Sequence, residues 1–362
     1  MIKYIGSKRS LLPVVLEAVA AVPGARSVMD LFSGTSRVGH ALKGEGYKVI
    51  ANDHNAYAAT LARCYVAADL EVLERPARML LDEFAALPGD PGWFTETFCE
   101  QSRFIQPKNG ARIDAIREAI VAKSLEPELE AVMLVALMEA ADRVDSTCGL
   151  QMAYLKKWAA RSHKDLELRL PAILPQAAAG KGEAHQLEVF DAAAELQADI
   201  AYLDPPYNQH SYLSNYHVWE SLVLWDKPEV YGIACKRVDC KTRKSPFNSK
   251  RKFHAALTEL IASVDAKVLI VSFNNEGYIE RGEMEQLLST RGRVTVFSHD
   301  YKRYVGAQIG IYNPKGEKVG AVSHTRNLEY LYVVETEALE RPLSFASPGE
   351  VVGEERQLGL FE

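Results

Sequence analysis

The sequence predicts an α/β fold built on a mostly parallel sheet. In two separate blocks, short apolar runs that read as strands alternate with helix-like stretches. The clearest of these runs also break into turns rich in Gly, Pro, Asn or Asp, where strands are expected to stop. Strands joined through helices pair in parallel, and their sites lie at the carboxyl ends of the strands.

In the first block, residues 27–32 form a strand ending at Ser33-Gly34, a helix-like stretch runs to Lys43, and residues 48–51 form a second strand ending at Asn52-Asp53. In the second, residues 199–203 form a strand ending at Asp204-Pro205-Pro206. Residues 253–264 read as a helix leading into a strand over 267–273, and residues 293–298 and 329–335 add β-rich runs. Between the blocks the chain is Ala- and Leu-rich with helical spacing (Ile113, Ile116, Ile120; Val132, Val135, Met138). This pattern divides the chain into a discontinuous α/β body (1–66 and 186–335), a helical insertion (67–185) and a tail (336–362). The tail carries six Glu against two Arg with scattered Pro and Gly, and reads as flexible.

Of the 362 residues, 48% are hydrophobic and 25% charged, enough to bury a core. No run approaches the roughly 18–20 apolar residues that span a bilayer, so no membrane association is expected. Pro13 and Glu17 interrupt the apolar run after Lys8 and Arg9, which reads as a mature N-terminus rather than a secretion signal. Cys64, Cys99, Cys148, Cys235 and Cys240 form no CxxC pair, which argues against a disulfide framework or a metal site and fits a reducing cytosol.

Net charge is −6, unevenly spread. Residues 236–252 hold eight Lys/Arg and one acid, a local +7 that leaves −13 on the rest. Lys236, Arg237, Lys241, Arg243, Lys244, Lys250, Arg251 and Lys252 therefore read as a patch that neutralises phosphates.

The segment Asp30-Leu31-Phe32-Ser33-Gly34-Thr35-Ser36-Arg37-Val38-Gly39 follows a strand and opens a helix. Such a Gly turn brings backbone N–H groups close to a ligand. It lacks GxGxxG spacing, and Asp30 sits badly beside a pyrophosphate but well beside an amino group. Asp53 ends the next strand, where an acid accepts hydrogen bonds from ribose hydroxyls. S-adenosylmethionine, with an amino-acid end, a sulfonium and a ribose, matches this set.

Asp204-Pro205-Pro206-Tyr207-Asn208 is the most informative pentapeptide. Its prolines remove two N–H donors and fix both φ angles, leaving rigid carbonyl acceptors beside Asp204 and an aromatic face at Tyr207. A planar exocyclic amine is a poor nucleophile because its lone pair is delocalised into the ring. Acceptors for its two hydrogens favour a more tetrahedral nitrogen, whose lone pair can point at a methyl donor. Tyr207 would stack on a base that has left the duplex.

Together these motifs resemble the adenine-specific DNA methyltransferases of the Dam-like group, in which the cofactor motif precedes the catalytic one. The likeness covers most of residues 1–335: Lys3-Tyr4-Ile5-Gly6-Ser7-Lys8-Arg9 is similar to the family's opening cofactor motif, DLFSGTSRVG to its glycine turn and DPPYN to its catalytic motif. Thr147-Cys148-Gly149 and Tyr154-Leu155-Lys156-Lys157-Trp158 resemble a target-binding segment; Asn215-Tyr216-His217, Ser245-Pro246-Phe247 and Tyr301-Lys302-Arg303-Tyr304 resemble later blocks. Gly34 is followed by Thr-Ser where the family pattern often continues Ser-Gly.

The resemblance implies a Rossmann-like, S-adenosylmethionine-dependent methyltransferase fold whose helical insertion recognises the target. Asp204, Pro205, Pro206 and Tyr207 would be catalytic, and Tyr4, Lys8, Asp30, Phe32, Gly34, Asp53, Glu188 and Asp204 would bind the cofactor. Duplex DNA would be the partner and N6 of adenine the target, reached by base flipping, in a cytoplasmic, nucleoid-associated protein of bacterial or phage origin. Phe247, Tyr212, Tyr216 and His217 are candidates to order over the flipped base, His217 in a structural or binding role, and Asp142, Arg143 and Asp145 are candidates to read bases.

The last residues, Gln357-Leu358-Gly359-Leu360-Phe361, resemble the short bacterial peptide that docks into the replicative sliding clamp, with Gln357, Leu358, Leu360 and Phe361 as anchors. Methylation of cytosine N4, RNA or a protein amide is the alternative chemistry, and a catalytically silent DNA-binding module the alternative class.

Overall fold

Val28, Met29 and Asp30 are all buried, so the first strand is covered on both faces, as a parallel sheet requires. The computed structural model describes residues 1–6, 8–302, 311–312, 318–320, 326–339, 341, 343–347 and 349–352.

The strands begin with β1 (Ser27–Asp30), β2 (Lys48–Asn52), β3 (Glu183–His185) and β4 (Ile200–Leu203). β5 (Val230–Tyr231) and β6 (Lys236–Arg237) form a small hairpin, followed by β7 (Val268–Asn274) and β8 (Arg293–Lys302). β9 (Ile311–Tyr312) and β10 (Lys318–Gly320) pair apart from the rest, and β11 (Arg326–Glu335) and β12 (Glu350–Val351) complete the set.

The main sheet has the order β12-β8-β11-β7-β4-β1-β2-β3. From β3 to β7 every pairing is parallel, whereas β11 runs antiparallel between β7 and β8. This is the expected α/β, Rossmann-like architecture with an antiparallel margin. The strands expected at 27–32, 48–51, 199–203, 267–273, 293–298 and 329–335 all appear in it, with shifted ends.

Helices cover both faces. α1 (Leu12–Ala20) and α2 (Arg37–Gly44) bury Val15, Val19 and Leu42 against one face. α3 (Ala56–Ala62), buried at every position, leads to α4 (Leu70–Ala86), the single turn α5 (Trp93–Thr95), α6 (Pro107–Lys123) and α7 (Pro127–Arg143). After these come α8 (Val189–Glu195), α9 (Tyr212–Asn215), α10 (His217–Leu224), α11 (Lys250–Ser263) and α12 (Arg281–Ser289). α8, α11 and α12 cover the other sheet face. Among the described residues no helix is long and apolar enough to cross a membrane.

The expected insertion is helical only as far as Arg143. Residues 144–182 hold one 3-10 turn and an isolated bridge, and Gly149, Gly180, Pro171 and Pro175 punctuate them against helix continuation. Nor has it a core of its own, because α4, α6 and α7 share one apolar cluster with Tyr57 and Leu61 of α3 and Trp219 of α10. Arg117 of α6 ties this unit down, donating at 2.9 Å to the carbonyls of Leu222 and Val223. The sheet takes the chain back at β3, just before residue 186.

The tail departs further from expectation. β12 pairs with β8, Leu339, Leu343 and Phe345 pack on the core, and Ser347 bonds Glu17 through its amide (2.7 Å) and hydroxyl (2.6 Å). Apolar residues among the acids anchor this stretch, so its described part is packed rather than flexible. The clamp-like residues Gln357, Leu358, Leu360 and Phe361, and Arg303 and Tyr304, lie outside the described residues.

Candidate functional site

Strand order reverses between β1 and β4: the chain builds outward through β2 and β3, then returns to place β4 and β7 on the other side. Loops leaving the two strands part in opposite directions and open a crevice at their carboxyl ends. A cleft lies there, walled by residues 30–35 from the end of β1, 52–55 from the end of β2, 187–190 around the start of α8, and Tyr202, Asp204 and Pro206 at the end of β4. Tyr4, Lys8, Asp30, Phe32, Gly34, Asp53, Glu188 and Asp204 all line it.

Asp30 pairs in register with Tyr202 of β4, which brings the acid ending β1 close to the acid following β4. Asp30 is 1% exposed and its Oδ1 has no hydrogen-bond partner. Burial, reinforced by the charge of Asp204, lifts its pKa well above the carboxylate range. An orphaned buried carboxylate oxygen in a cleft wall suits a cationic group, as the amino end of S-adenosylmethionine would provide. The turn beyond is tight: Gly34 has φ +50°, and a Cβ there would lie 3.4 Å from the Tyr4 ring. Asp53 holds that turn, accepting from the Gly34 amide at 3.1 Å and the Asn55 amide at 3.0 Å. Glu188, exposed at the N-cap of α8, also lines the cleft.

Tyr4 stands between two other tyrosines, with ring centroids 5.3 Å from Tyr212 and 4.5 Å from Tyr216, near parallel to both. Lys8 is 7% exposed, and its Nζ lies 3.0 Å from Asp204 Oδ1 and also pairs with Glu329. Burial disfavours its charge, yet the carboxylates of Asp204 and Glu329 raise its pKa well above the ordinary value, so it stays an ammonium. Burial pushes Asp204 up to about 6, with Lys8 opposing and Glu329 reinforcing.

The loop carrying Pro205, Pro206 and Tyr207 is fixed from two sides. Phe273 of β7 meets the Tyr207 ring edge-on at 5.5 Å. Asn248 donates to the carbonyls of Asn208 (2.8 Å) and His210 (3.1 Å), tying this loop to the basic segment. Within that segment Lys241, Lys244, Lys250, Arg251 and Lys252 are exposed, with Lys241 over the Tyr231 ring and Lys244 bonded to the Cys240 carbonyl. Lys236 is half-buried on the β5–β6 hairpin. Arg243 faces the cleft while paired with Glu220 (3.0 Å) and Asp239 (3.4 Å).

Arg237 corrects the expectation. It is 3% exposed and its guanidinium is engaged by Asp226 and Asp239, so it is an internal brace with nothing left for a phosphate. The insertion's candidate base readers are also spent internally. Asp142 and Asp145 bind Lys3, Asp145 binds Arg161 as well, and Arg143 donates to the Glu167 carbonyl. Of the four aromatic candidates only Tyr212 and Phe247 line the cleft. Phe247 is buried, edge-on to Phe32, and Tyr216 and His217 are interior. His217 bonds the Gln151 carbonyl, and burial drives its pKa down to about 3.

Residues beyond the sequence reading also shape the site. Glu329 is an acid inside the apolar run of β11, a local signal of a buried partner. Glu220 accepts from the Ala56 and Tyr57 amides at the start of α3, next to the β2 wall.

Among known proteins, a family model described as D12 class N6 adenine-specific DNA methyltransferase matches residues 4–285. The type II methyltransferase M.NlaIII of Neisseria lactamica is 28% identical over 346 residues, 92% of this chain and 98% of its own length. The type II methyltransferase M.FokI of Planomicrobium okeanokoites is 30% identical over 325 residues, 83% of this chain, which spans 49% of that relative. The type II methyltransferase M.CviAII of Paramecium bursaria Chlorella virus 1 is 27% identical over 312 residues, 84% of this chain and 92% of its own.

Proposed function

The chain belongs to the D12 class of N6 adenine-specific DNA methyltransferases, and on that premise we propose that it uses S-adenosylmethionine to methylate adenine in a specific duplex sequence after flipping the base into the β1–β4 cleft. The observation that carries this reading is the meeting of Asp30 and Asp204 in one cleft across the strand-order reversal.

Bound S-adenosylmethionine would supply an electrophilic methyl on its sulfonium. Asp30 would receive the donor's ammonium on its free Oδ1, Asp53 and Glu188 would face its nucleoside part, and Gly34 would let the backbone approach. Asp204 and the carbonyl of Pro205 would accept from the two N6 hydrogens, and Tyr207 would stack on the base. The prolines hold this geometry without a backbone donor that would compete for the acceptors. The exposed cations from Lys241 to Lys252 would hold phosphates of the opened duplex, offsetting a few kcal/mol of unstacking. Target choice would fall to the insertion over residues 67–185.

Wild type should convert adenine to N6-methyladenine in duplex DNA, read by nucleoside digestion, and Asp204→Ala should abolish the product while leaving DNA binding intact. Methylcytosine without methyladenine would overturn the proposal. The terminal Gln357-Leu358-Gly359-Leu360-Phe361 peptide supports docking to a sliding clamp, raising the enzyme's effective concentration on nascent DNA. Equal clamp retention by a chain ending at Arg356 would exclude it.

A further inference from the structure

Among the described residues Lys8 is the one cation within ion-pairing distance of Asp204, and its second partner comes from far along the chain. Glu329 sits in the middle of β11, opposite Asn274 of β7 and His299 of β8, and beyond the residues matched by the family model. Its Oε1 takes both the Lys8 ammonium and the hydroxyl of Ser272, the latter at 3.0 Å. Glu329 and Ser272 are buried, 7% and 0% exposed, so β7 and β11 hold this carboxylate rigidly. An isolated acid among Leu328, Tyr330 and Leu331 costs desolvation that an aliphatic residue would avoid, and strand pairing does not need it.

We propose that Glu329 is a positioning residue for methyl transfer: held by Ser272, it fixes Lys8, and through Lys8 it sets the orientation and charge state of Asp204. The proposal rests on the function given above. Without Glu329 the Lys8 chain would be free to swing about Asp204, and the carboxylate would lose its fixed angle toward the amine. A small displacement of a reacting group costs rate steeply, roughly 10- to 100-fold.

Charge makes the role separable from mere support. The charged and titratable groups around Asp204 are Lys8 from the N-terminal turn, Glu329 from β11, Asp30 from β1, Tyr202 from β4, Tyr207 on the same loop and Tyr212 from α9. Glu329 raises the Asp204 pKa and Lys8 lowers it. In Glu329→Gln the acid limb of kcat/KM should therefore move to lower pH, by roughly one unit. In Lys8→Met it should move the opposite way. Glu329→Asp keeps the charge, so its limb should stay in place while kcat recovers part of the loss.

The experiment is N6-methyladenine formation on duplex DNA from pH 5 to 9 by wild type and these variants, with thermal melting of each. Glu329→Gln that melts like wild type, loses kcat at least tenfold at unchanged KM for DNA and shifts its limb downward supports the proposal. A well-folded variant with wild-type kcat, or with reduced kcat and an unmoved limb, overturns it while the methylase reading stands. Absence of N6-methyladenine from wild type instead refutes that reading and takes this proposal with it. Should Glu329→Gln not fold, Ser272→Ala, which loosens Glu329 without altering charge, decides: kcat must fall at constant KM, and an unchanged kcat overturns the proposal.

Discussion

Replacing Asp30 by Asn should weaken binding of the methyl donor while making the free protein more stable. The change keeps size and shape but removes a charge whose Oδ1 has no protein partner. A hydrogen bond to a charged group contributes about 1.5–3 kcal/mol, so the Kd for S-adenosylmethionine should rise roughly 10- to 150-fold. In the free protein the same carboxylate is held at a cost, buried at 1% exposure and repelled by Asp204. Relieving it should add about 1–2 kcal/mol, raising Tm by a few degrees.

Because the folded pKa of Asp30 is raised, its contribution to stability is fully present below the unfolded value near 4 and is lost as pH climbs through the folded one. The gain from Asn should therefore be present at pH 8 and vanish below about pH 4. Calorimetric titration with S-adenosylmethionine and melting at both pH values check the two halves. Unchanged donor affinity, or a Tm that falls at pH 8, would refute the assignment of Asp30 to the cationic end.

Wild-type kcat/KM should fall as pH drops through about 6, where Asp204 gains a proton and loses its capacity to accept from the amine; a flat profile from pH 5 to 8 contradicts it. Arg237→Met should cost folding stability, about 2–3 kcal/mol by urea denaturation, less than a fully buried pair because Asp226 and Asp239 face solvent. A well-folded variant defective only in DNA binding would return Arg237 to the interface. Changing Lys250, Arg251 and Lys252 together to Gln should instead raise KM for DNA and reduce the slope of log K against log salt by about 3, with kcat unaltered. His217→Gln should lower Tm yet leave the pH profile in place, since burial keeps the ring neutral throughout that range; a moved profile would make it a titrating participant.

The two segments that line the cleft after β1 and β4 were legible in the sequence because each is a contiguous strand-and-turn unit. The order DLFSG then DPPYN, with Tyr4 and Lys8 ahead of both, needed only the sheet to bring them into one cleft. What escaped was set by pairing across long sequence separations. Nothing near Glu329 announces Lys8, since the two are 321 residues apart. Arg237 lies in a run of cations, and only the fold shows that Asp226 and Asp239 close around it. Asp142 and Asp145 looked available to read bases until Lys3 and Arg161 reached them. The tail's acids outweighed its few apolar anchors in composition, whereas Phe345 against Phe297 (4.8 Å between centroids) and the Ser347–Glu17 bonds decide its packing.

The most direct test of the central claim is a structure of the protein with S-adenosylmethionine and a duplex carrying the target adenine. The sulfonium methyl should lie in the β1–β4 cleft between Asp30 and Asp204, with N6 of an extruded adenine on the Asp204 carboxylate. A donor bound elsewhere, or a base that stays stacked while methylation proceeds in the crystal, would contradict it.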